Sequence, residues 1–500
     1  MYTSTRGNLE TVTAAEAIKK GIAADGGLFV PTDMPDINKE WLANLIHLDY
    51  KGRAFEVLRL FLTDYDEEEL KSCIAAAYTS EKFDEAAIAP VVAVDKDIFV
   101  LELWHGPTSA FKDMALQMLP QLMSKAIRKT REKSEIIILT ATSGDTGKAA
   151  LEGFTGVGQI KIVVFYPEEG ISPIQRLQMV TQEGDNVLVV AVRGNFDDAQ
   201  TGVKKIFTDS FFNKELAANG YQLSSANSIN WGRLVPQIVY YFSAYADLMA
   251  KKCLLLGQPV NFVVPTGNFG NLLAGYYAKR MGLPIGKLIC ASNGNNVVAE
   301  FLQCGIYDKV RAFHKTLSPS MDILISSNLE RLLYHITKKD CLQVGKWMEE
   351  LTHTGRYSIG KKHTEKIREL FWADWVGDQE TLARMENVFE RCNYLVDPHT
   401  AVAWEVGERY RRATGDKTPQ IIVSTASPFK FNESVLTAIS PEYVRQKDEF
   451  FMLRDLSRLS GWPVPTGLAA LEQAVICHEA VCDKEQMSNM IRKFLNKMNG

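Results

Sequence analysis

Ile136-Ile-Ile-Leu-Thr-Ala-Thr-Ser-Gly-Asp-Thr-Gly147 decides the fold. Its first half, Ile136–Ala141, is a short β-branched run without polar alternation, the pattern of a parallel strand covered on both faces. Thr142-Ser-Gly-Asp-Thr-Gly147 is a turn rich in glycine and hydroxyls, and residues 146–156 carry helical periodicity. Strand, glycine turn and helix in that order make half of a βαβ unit.

The same grammar recurs along the chain. Strands are expected at Ile98–Leu101, Ile160–Tyr166, Val187–Val192, Asn261–Val264, Leu288–Ala291 and Ile421–Ser424. Helices are expected near 113–130, 172–183, 197–211, 231–255 and 270–281. The alternation predicts an α/β protein with two doubly wound, parallel-sheet lobes. Residues 1–95 mix turns and amphipathic helices and are read as an N-terminal domain. Residues 96–440 form the α/β region, with a smaller lobe at about 113–225. The charged, helix-rich stretch 305–385 interrupts it as an insertion or covering layer, and 441–500 reads as helical.

Ligands of open α/β sheets bind beyond the carboxyl ends of the strands. Three strand-end loops carry chemistry. Thr142–Gly147 presents helix-start amides with the hydroxyls of Ser143 and Thr146, a site for a carboxylate or phosphate, or a plain capping turn. It is not a Walker A loop, because Lys148 is followed by Ala149. Pro265-Thr-Gly-Asn-Phe-Gly-Asn271 frees the backbone at Gly267 and Gly270 to wrap a dianion, or is a plain glycine turn. Thr425-Ala-Ser-Pro-Phe-Lys-Phe431 places a hydroxyl at a strand end, where it can bond a ring nitrogen, or is a bend fixed by Pro428.

A fourth feature is Lys112 in Leu103-Trp-His-Gly-Pro-Thr-Ser-Ala-Phe-Lys-Asp113. It follows a Gly-Pro turn and precedes an apolar helical stretch, so its ammonium faces a desolvated setting that favours the neutral amine. A neutral lysine amine is what Schiff-base chemistry needs. A snorkelling lysine is the alternative for this residue alone. Two anion cradles, a buried lysine and a strand-end hydroxyl together describe a pyridoxal 5′-phosphate site.

Bulk composition narrows the partners. The 500 residues are 46% hydrophobic and 23% charged, with a net charge of −4, which gives no electrostatic case for nucleic acid or an anionic membrane. No run of 18 uninterrupted apolar residues is present. The N-terminal residues lack an apolar signal core. Eight scattered cysteines without a C-x-x-C pair predict reduced thiols in a cytoplasmic protein, and eight histidines without ligand spacing predict no metal site.

Together these motifs resemble the threonine synthase family of fold type II (tryptophan synthase β-like) pyridoxal-phosphate enzymes. The resemblance runs through Tyr2-Thr-Ser-Thr-Arg-Gly7, Asp25-Gly-Gly-Leu-Phe-Val-Pro31, the Lys112 segment, Thr142–Gly147, Asn227-Ser-Ile-Asn-Trp-Gly-Arg233, Pro265–Asn271, Asp397-Pro-His-Thr-Ala401 and Thr425–Phe431. It implies that Lys112 holds the cofactor as a Schiff base and moves protons. It implies that Gly267, Asn268, Phe269, Gly270 and Asn271 cradle the cofactor phosphate and that Thr425 bonds the pyridine nitrogen. Thr142, Ser143, Gly144, Asp145 and Thr146 are implied to bind the substrate α-carboxylate. The implied reaction turns O-phospho-L-homoserine and water into L-threonine and phosphate, in a monomer or homodimer.

The substrate phosphate needs cations of its own. Lys148 and Arg233 adjoin matched motifs and are expected there, with Asn227, Ser228 and Asn230 as neutral donors. Arg176, Arg193 and Lys430 are further candidates. His105 and His399 are expected to be structural, because Lys112 already supplies a base. The chain departs from the family pattern at Ser427-Pro428-Phe429 and at Lys148.

Overall fold

The computed structural model describes residues 1–7, 11–142, 144–169, 171–194, 196–446 and 448–499. Two sheets organise them. The larger has the order Phe371–Trp375, Ile285–Ser292, Val260–Pro265, Gln420–Ser424, Ile98–Glu102 and Val91–Asp95. Its neighbours are parallel except for the last pair. The smaller has the order Ala480–Cys482, Val187–Val192, Ile160–Pro167, Glu135–Ala141 and Tyr221–Ser224, and is parallel throughout.

Unbroken apolar runs are needed here because each strand feeds two cores. Ile136 and Ile138 point into the core shared with the larger lobe, together with Ile162, Val164 and Val189. Ile137 and Leu139 point the other way, onto Val163, Phe165, Val190 and Phe212. Side chains alternate across a strand, so a polar residue at either parity would lie in apolar surroundings.

The N-terminal residues pack around the helix Trp231–Ala250, in which every residue but Asp247 and Ala250 is buried. Asp247 is held by Arg53 at 2.5 Å. Tyr2 lies against Trp231 with ring centroids 5.3 Å apart, and its hydroxyl donates to the Phe61 carbonyl at 2.8 Å. The strand Tyr2–Ser4 pairs antiparallel with Phe29–Pro31, after the glycine turn expected there.

Every strand expected from the sequence is present. Several more are found. Phe371–Trp375 edges the larger sheet inside the stretch read as helical, because the helix Gly360–Leu370 runs into it without a turn residue. Ala480–Cys482 lies in the C-terminal stretch read as helical and adds an edge to the smaller sheet. Its three residues are too few for a periodic signal.

Gly153 sets the distance between the helices carrying the site. It lies on the helix Asp145–Phe154, and a Cβ there would sit 2.0 Å from the Leu116 carbonyl oxygen, one turn after Lys112. His105 is a structural cation near the same segment. Its Nδ1 meets Asp84 at 2.7 Å and its Nε2 meets Glu102 at 2.8 Å. Burial alone lowers its pKa, but the two carboxylates outweigh burial and raise it to about 9.

Two outcomes are expected. Gly153→Ala should cost about 1–3 kcal/mol of stability by overpacking; an unchanged urea midpoint would refute the contact. For His105, a folded pKa above the unperturbed ~6.5 means that stabilisation is complete below ~6.5 and fades as pH rises through about 9. The difference in unfolding midpoint between wild type and His105→Gln should therefore be largest near pH 6 and close above pH 9. A pH-independent difference would rule this out.

Candidate active site

Lys112 arrives at the site through backbone ties. The segment after Ile98–Glu102 is fastened to the end of Gln420–Ser424 by Leu103 N to Ser424 O at 3.0 Å and Phe111 N to Thr425 O at 2.8 Å. Asp113 folds the intervening turn back by accepting from Thr108 N and Thr108 Oγ1, both at 2.8 Å. Burial pushes the Asp113 carboxyl up to about 6. Lys112 is left 9% exposed at the start of a short helix. Burial lowers its amine pKa; the Asp145 carboxylate opposes this, and the Lys430 and Arg233 charges add to it.

Asp145 is the anion of the site. Its carboxylate lies 3.1 Å from Lys112 Nζ and 2.8 Å from Lys430 Nζ. It also accepts from Ser320 Oγ at 2.7 Å and Gln175 Nε2 at 2.9 Å. Burial alone would raise its pKa, but the two ammonium groups hold it well below the usual carboxylate range. Gly144 turns at φ +134, and a Cβ there would lie 2.6 Å from the Gln175 side chain. Thr142 Oγ1 accepts from Gly144 N at 3.0 Å and Gly147 N at 2.8 Å, so this hydroxyl shapes the turn. Ser143 lies outside the described residues.

Opposite stands the Pro265–Asn271 loop. Phe269 takes a left-handed conformation, φ +62, and the helix Gly270–Met281 has no side-chain cap at its N-terminus. Asn271 Oδ1 accepts from Tyr240 at 2.7 Å and Tyr241 at 2.8 Å, which leaves its buried Nδ2 without a partner. Arg233 is buried. One of its nitrogens donates to the Ala226 carbonyl at 2.6 Å, its Nε has no partner, and burial lowers its pKa to about 10. Unmatched buried donors beside an open helix N-terminus call for an anion. Gly267 is required for a different reason: a Cβ there would lie 2.8 Å from the Ser320 carbonyl oxygen.

One cavity joins these parts. It brings together Lys112, Thr146, Asn227, Ser228, Arg233, Gly267, Asn268, Phe269, Gly270, Asn271 and Thr425. Among the described residues no group hydrogen-bonds the Thr425 hydroxyl. The residues suit pyridoxal phosphate: unmatched donors for its phosphate, an amine at Lys112, and a hydroxyl at Thr425 for its ring nitrogen.

Some expected residues stand elsewhere. Lys148 does not line the cavity, because Glu152 one turn on captures its ammonium at 2.9 Å and Gln182 accepts from it at 2.5 Å. Asn230 is used by the fold, accepting from Gly232 N and donating to the Ile18 and Ser225 carbonyls. Arg193 pairs with Asp483 at the surface, and Arg176 is exposed. Lys430 is buried against Asp145. Sequence reasoning missed Phe111, Gln237, Thr266, Ser320 and Met321, which also line the cavity. Ser320 lies inside the stretch read as a covering layer, in Leu317-Ser-Pro-Ser-Met-Asp322, which carries only a turn signal.

Comparisons with known proteins agree with this geometry. Residues 1–78 match the family "Threonine synthase N terminus", 88–426 "Pyridoxal-phosphate dependent enzyme" and 400–473 "Threonine synthase, C-terminal". The chain is 42% identical to human threonine synthase-like 1 over 86% of its own length, and spans 58% of that relative. It is 37% identical to threonine synthase of Saccharomyces cerevisiae, covering 100% of this chain and 98% of the yeast one. The crystal structure of pyridoxal-phosphate-bound threonine synthase from Brucella melitensis superimposes with a TM-score of 0.85 at 36% identity, covering 99% of each chain. With the lysine, the two amide-rich turns and the strand-end hydroxyl around one cavity, these matches place the chain in the threonine synthase family of fold type II pyridoxal-phosphate enzymes.

Proposed function

We propose that the chain converts O-phospho-L-homoserine and water into L-threonine and phosphate. One observation carries the reading: a buried amine, Lys112, stands between two separate amide-rich turns, in a chain of the threonine synthase family. An amino acid bearing both a carboxylate and a phosphate, together with a phosphorylated cofactor, needs several anion sites around one base.

Pyridoxal phosphate, when bound, supplies an electron sink for charge that develops at the substrate carbon atoms. Gly270, Asn271 and their neighbours in the loop would hold its phosphate at the open helix end, and Thr425 would meet its ring nitrogen. Lys112 holds the cofactor and, as a free amine of lowered pKa, takes a proton from the substrate Cα and moves one at Cβ. Thr142 occupies the amides of Gly144 and Gly147, so the amides of Asp145 and Thr146, unbonded among the described residues, are left for the substrate carboxylate. Arg233 supplies a guanidinium for a phosphate group, and Asn227 and Ser228 supply neutral donors on the same wall. Burial of Lys112, Asp145 and Lys430 keeps water from screening these charges.

Among the described residues no helix is long and apolar enough to cross a membrane. All eight cysteines are free, which supports a reducing, cytoplasmic setting. We divide the chain at about 95 and 440 into N-terminal, catalytic and C-terminal parts, and infer a monomer or homodimer.

With pyridoxal phosphate, the protein should show a visible absorbance band that borohydride bleaches and that Lys112→Ala lacks. O-phospho-L-homoserine should yield threonine and phosphate one for one, and Lys112→Ala should lower turnover by about 10²–10⁴-fold or more. A 2-oxo acid with ammonia would make the protein a lyase instead. A colourless protein that the cofactor cannot reconstitute would overturn the reading of the site.

A further inference from the structure

We propose that Asp397 and His399 are positioning residues that pin the Pro319–Met321 turn, so that the Ser320 hydroxyl stays in contact with both the Lys112 amine and the Asp145 carboxylate.

Asp397 caps the helix Pro398–Thr414 and is fully buried. Its carboxylate accepts from His399 N at 3.0 Å and Thr400 N at 3.1 Å, and it faces His399 Nδ1 within hydrogen-bond distance. An ionised carboxylate only accepts, so Nδ1 carries the ring proton. Nε2 is then left with its lone pair, and it receives the Ser320 amide at 3.2 Å. This tautomer follows from the network of partners. The ring is 2% exposed and packs edge-on against Phe431 at 4.9 Å. His399 borders the cavity, yet both its nitrogens are engaged, so it cannot take or give a proton without breaking one of these bonds.

The turn it holds touches three parts of the site. Ser320 Oγ donates to Asp145 at 2.7 Å and accepts from Lys112 Nζ at 3.3 Å. The Ser320 carbonyl packs against Gly267 of the phosphate loop. The far side of the turn is fastened separately, where the Asp322 carboxylate accepts from Asn293, Asn295 and Thr316. His399 is thus the fastening on the side of the lysine. A histidine serves here because it joins a buried carboxylate on one edge to a backbone amide on the other, through a rigid ring.

The inference rests on Lys112 being the working amine, but not on the identity of the substrate. Its test therefore begins with the full chain freed of cofactor. The pH midpoint for acetylation of Lys112 is read by mass spectrometry in wild type, Ser320→Ala, His399→Asn, His399→Gln and the Ser320→Ala/His399→Asn double variant. Asn keeps the donor to Asp397 but is too short to reach Ser320. Gln reaches Ser320 with its carbonyl oxygen. Ser320→Ala and His399→Asn should move the midpoint in the same direction by about one pH unit, the scale of one hydrogen bond to a charged group. The double variant should move it no further, because both changes remove one interaction. His399→Gln should stay near wild type and, as holoenzyme, retain most of the turnover that His399→Asn loses. A midpoint unmoved in His399→Asn, with Ser320→Ala shifted, would leave His399 a packing residue and overturn the proposal. So would His399→Gln as inactive as His399→Asn with both midpoints unmoved, because that pattern marks a proton-transfer group.

Discussion

A single buried carboxylate between two ammonium groups holds the arrangement together. Asp145 begins the helix that leaves the smaller sheet, whereas Lys112 and Lys430 come from strand ends of the larger one. The two lobes therefore meet through charge beside the candidate site. A buried ion pair adds little stability by itself, but removing one partner leaves an uncompensated charge. Lys112 and Lys430 flank this one anion, and the Arg233 charge is felt at Lys112. An excess of buried positive charge favours anionic ligands, among them the phosphate of the cofactor that this family carries.

Support for the cations comes from outside the catalytic sheets. The helix Trp231–Ala250 carries Arg233 and, through Tyr240, the partner that orients Asn271. The same helix is the post around which the N-terminal residues pack. Arg331 ties that packing to the site, because it donates to Phe29 O near the N-terminus, to Ile229 O beside the cavity, and to Asn328, whose amide in turn holds Asn268 O. The N-terminal residues are therefore tied to the backbone beside the cavity.

The parts of this protein that were legible in its sequence are those whose signal is local. The β-branched runs marked the parallel strands, because burial on both faces permits no polar alternation. Glycine turns after strands marked two loops that border the cavity, and apolar neighbours marked Lys112. What escaped depends on distant partners. Ser320 has an ordinary turn around it, and its place beside Lys112 is fixed by His399 from far along the chain. Phe371–Trp375 becomes a strand because Ile285–Ser292 offers it an edge. Lys148 misled through its closeness to the Thr142–Gly147 turn, although Glu152 at the next helical turn was visible as its partner.

The edge strand Ala480–Cys482 bears on how the chain is made. It pairs with Val187–Val192, and the helix after it supplies Met487, Ile491 and Leu495 to the core of the smaller lobe. That lobe is thus built from two pieces with four of the larger sheet's six strands threaded between them. On the ribosome its first piece emerges early, and it must wait with an open sheet edge and an uncovered apolar face until synthesis has passed residue 495. Contacts so remote in sequence close slowly. The nascent smaller lobe is therefore the part of the molecule most in need of shielding, and a chain that stops short of Ala480 leaves it permanently unfinished.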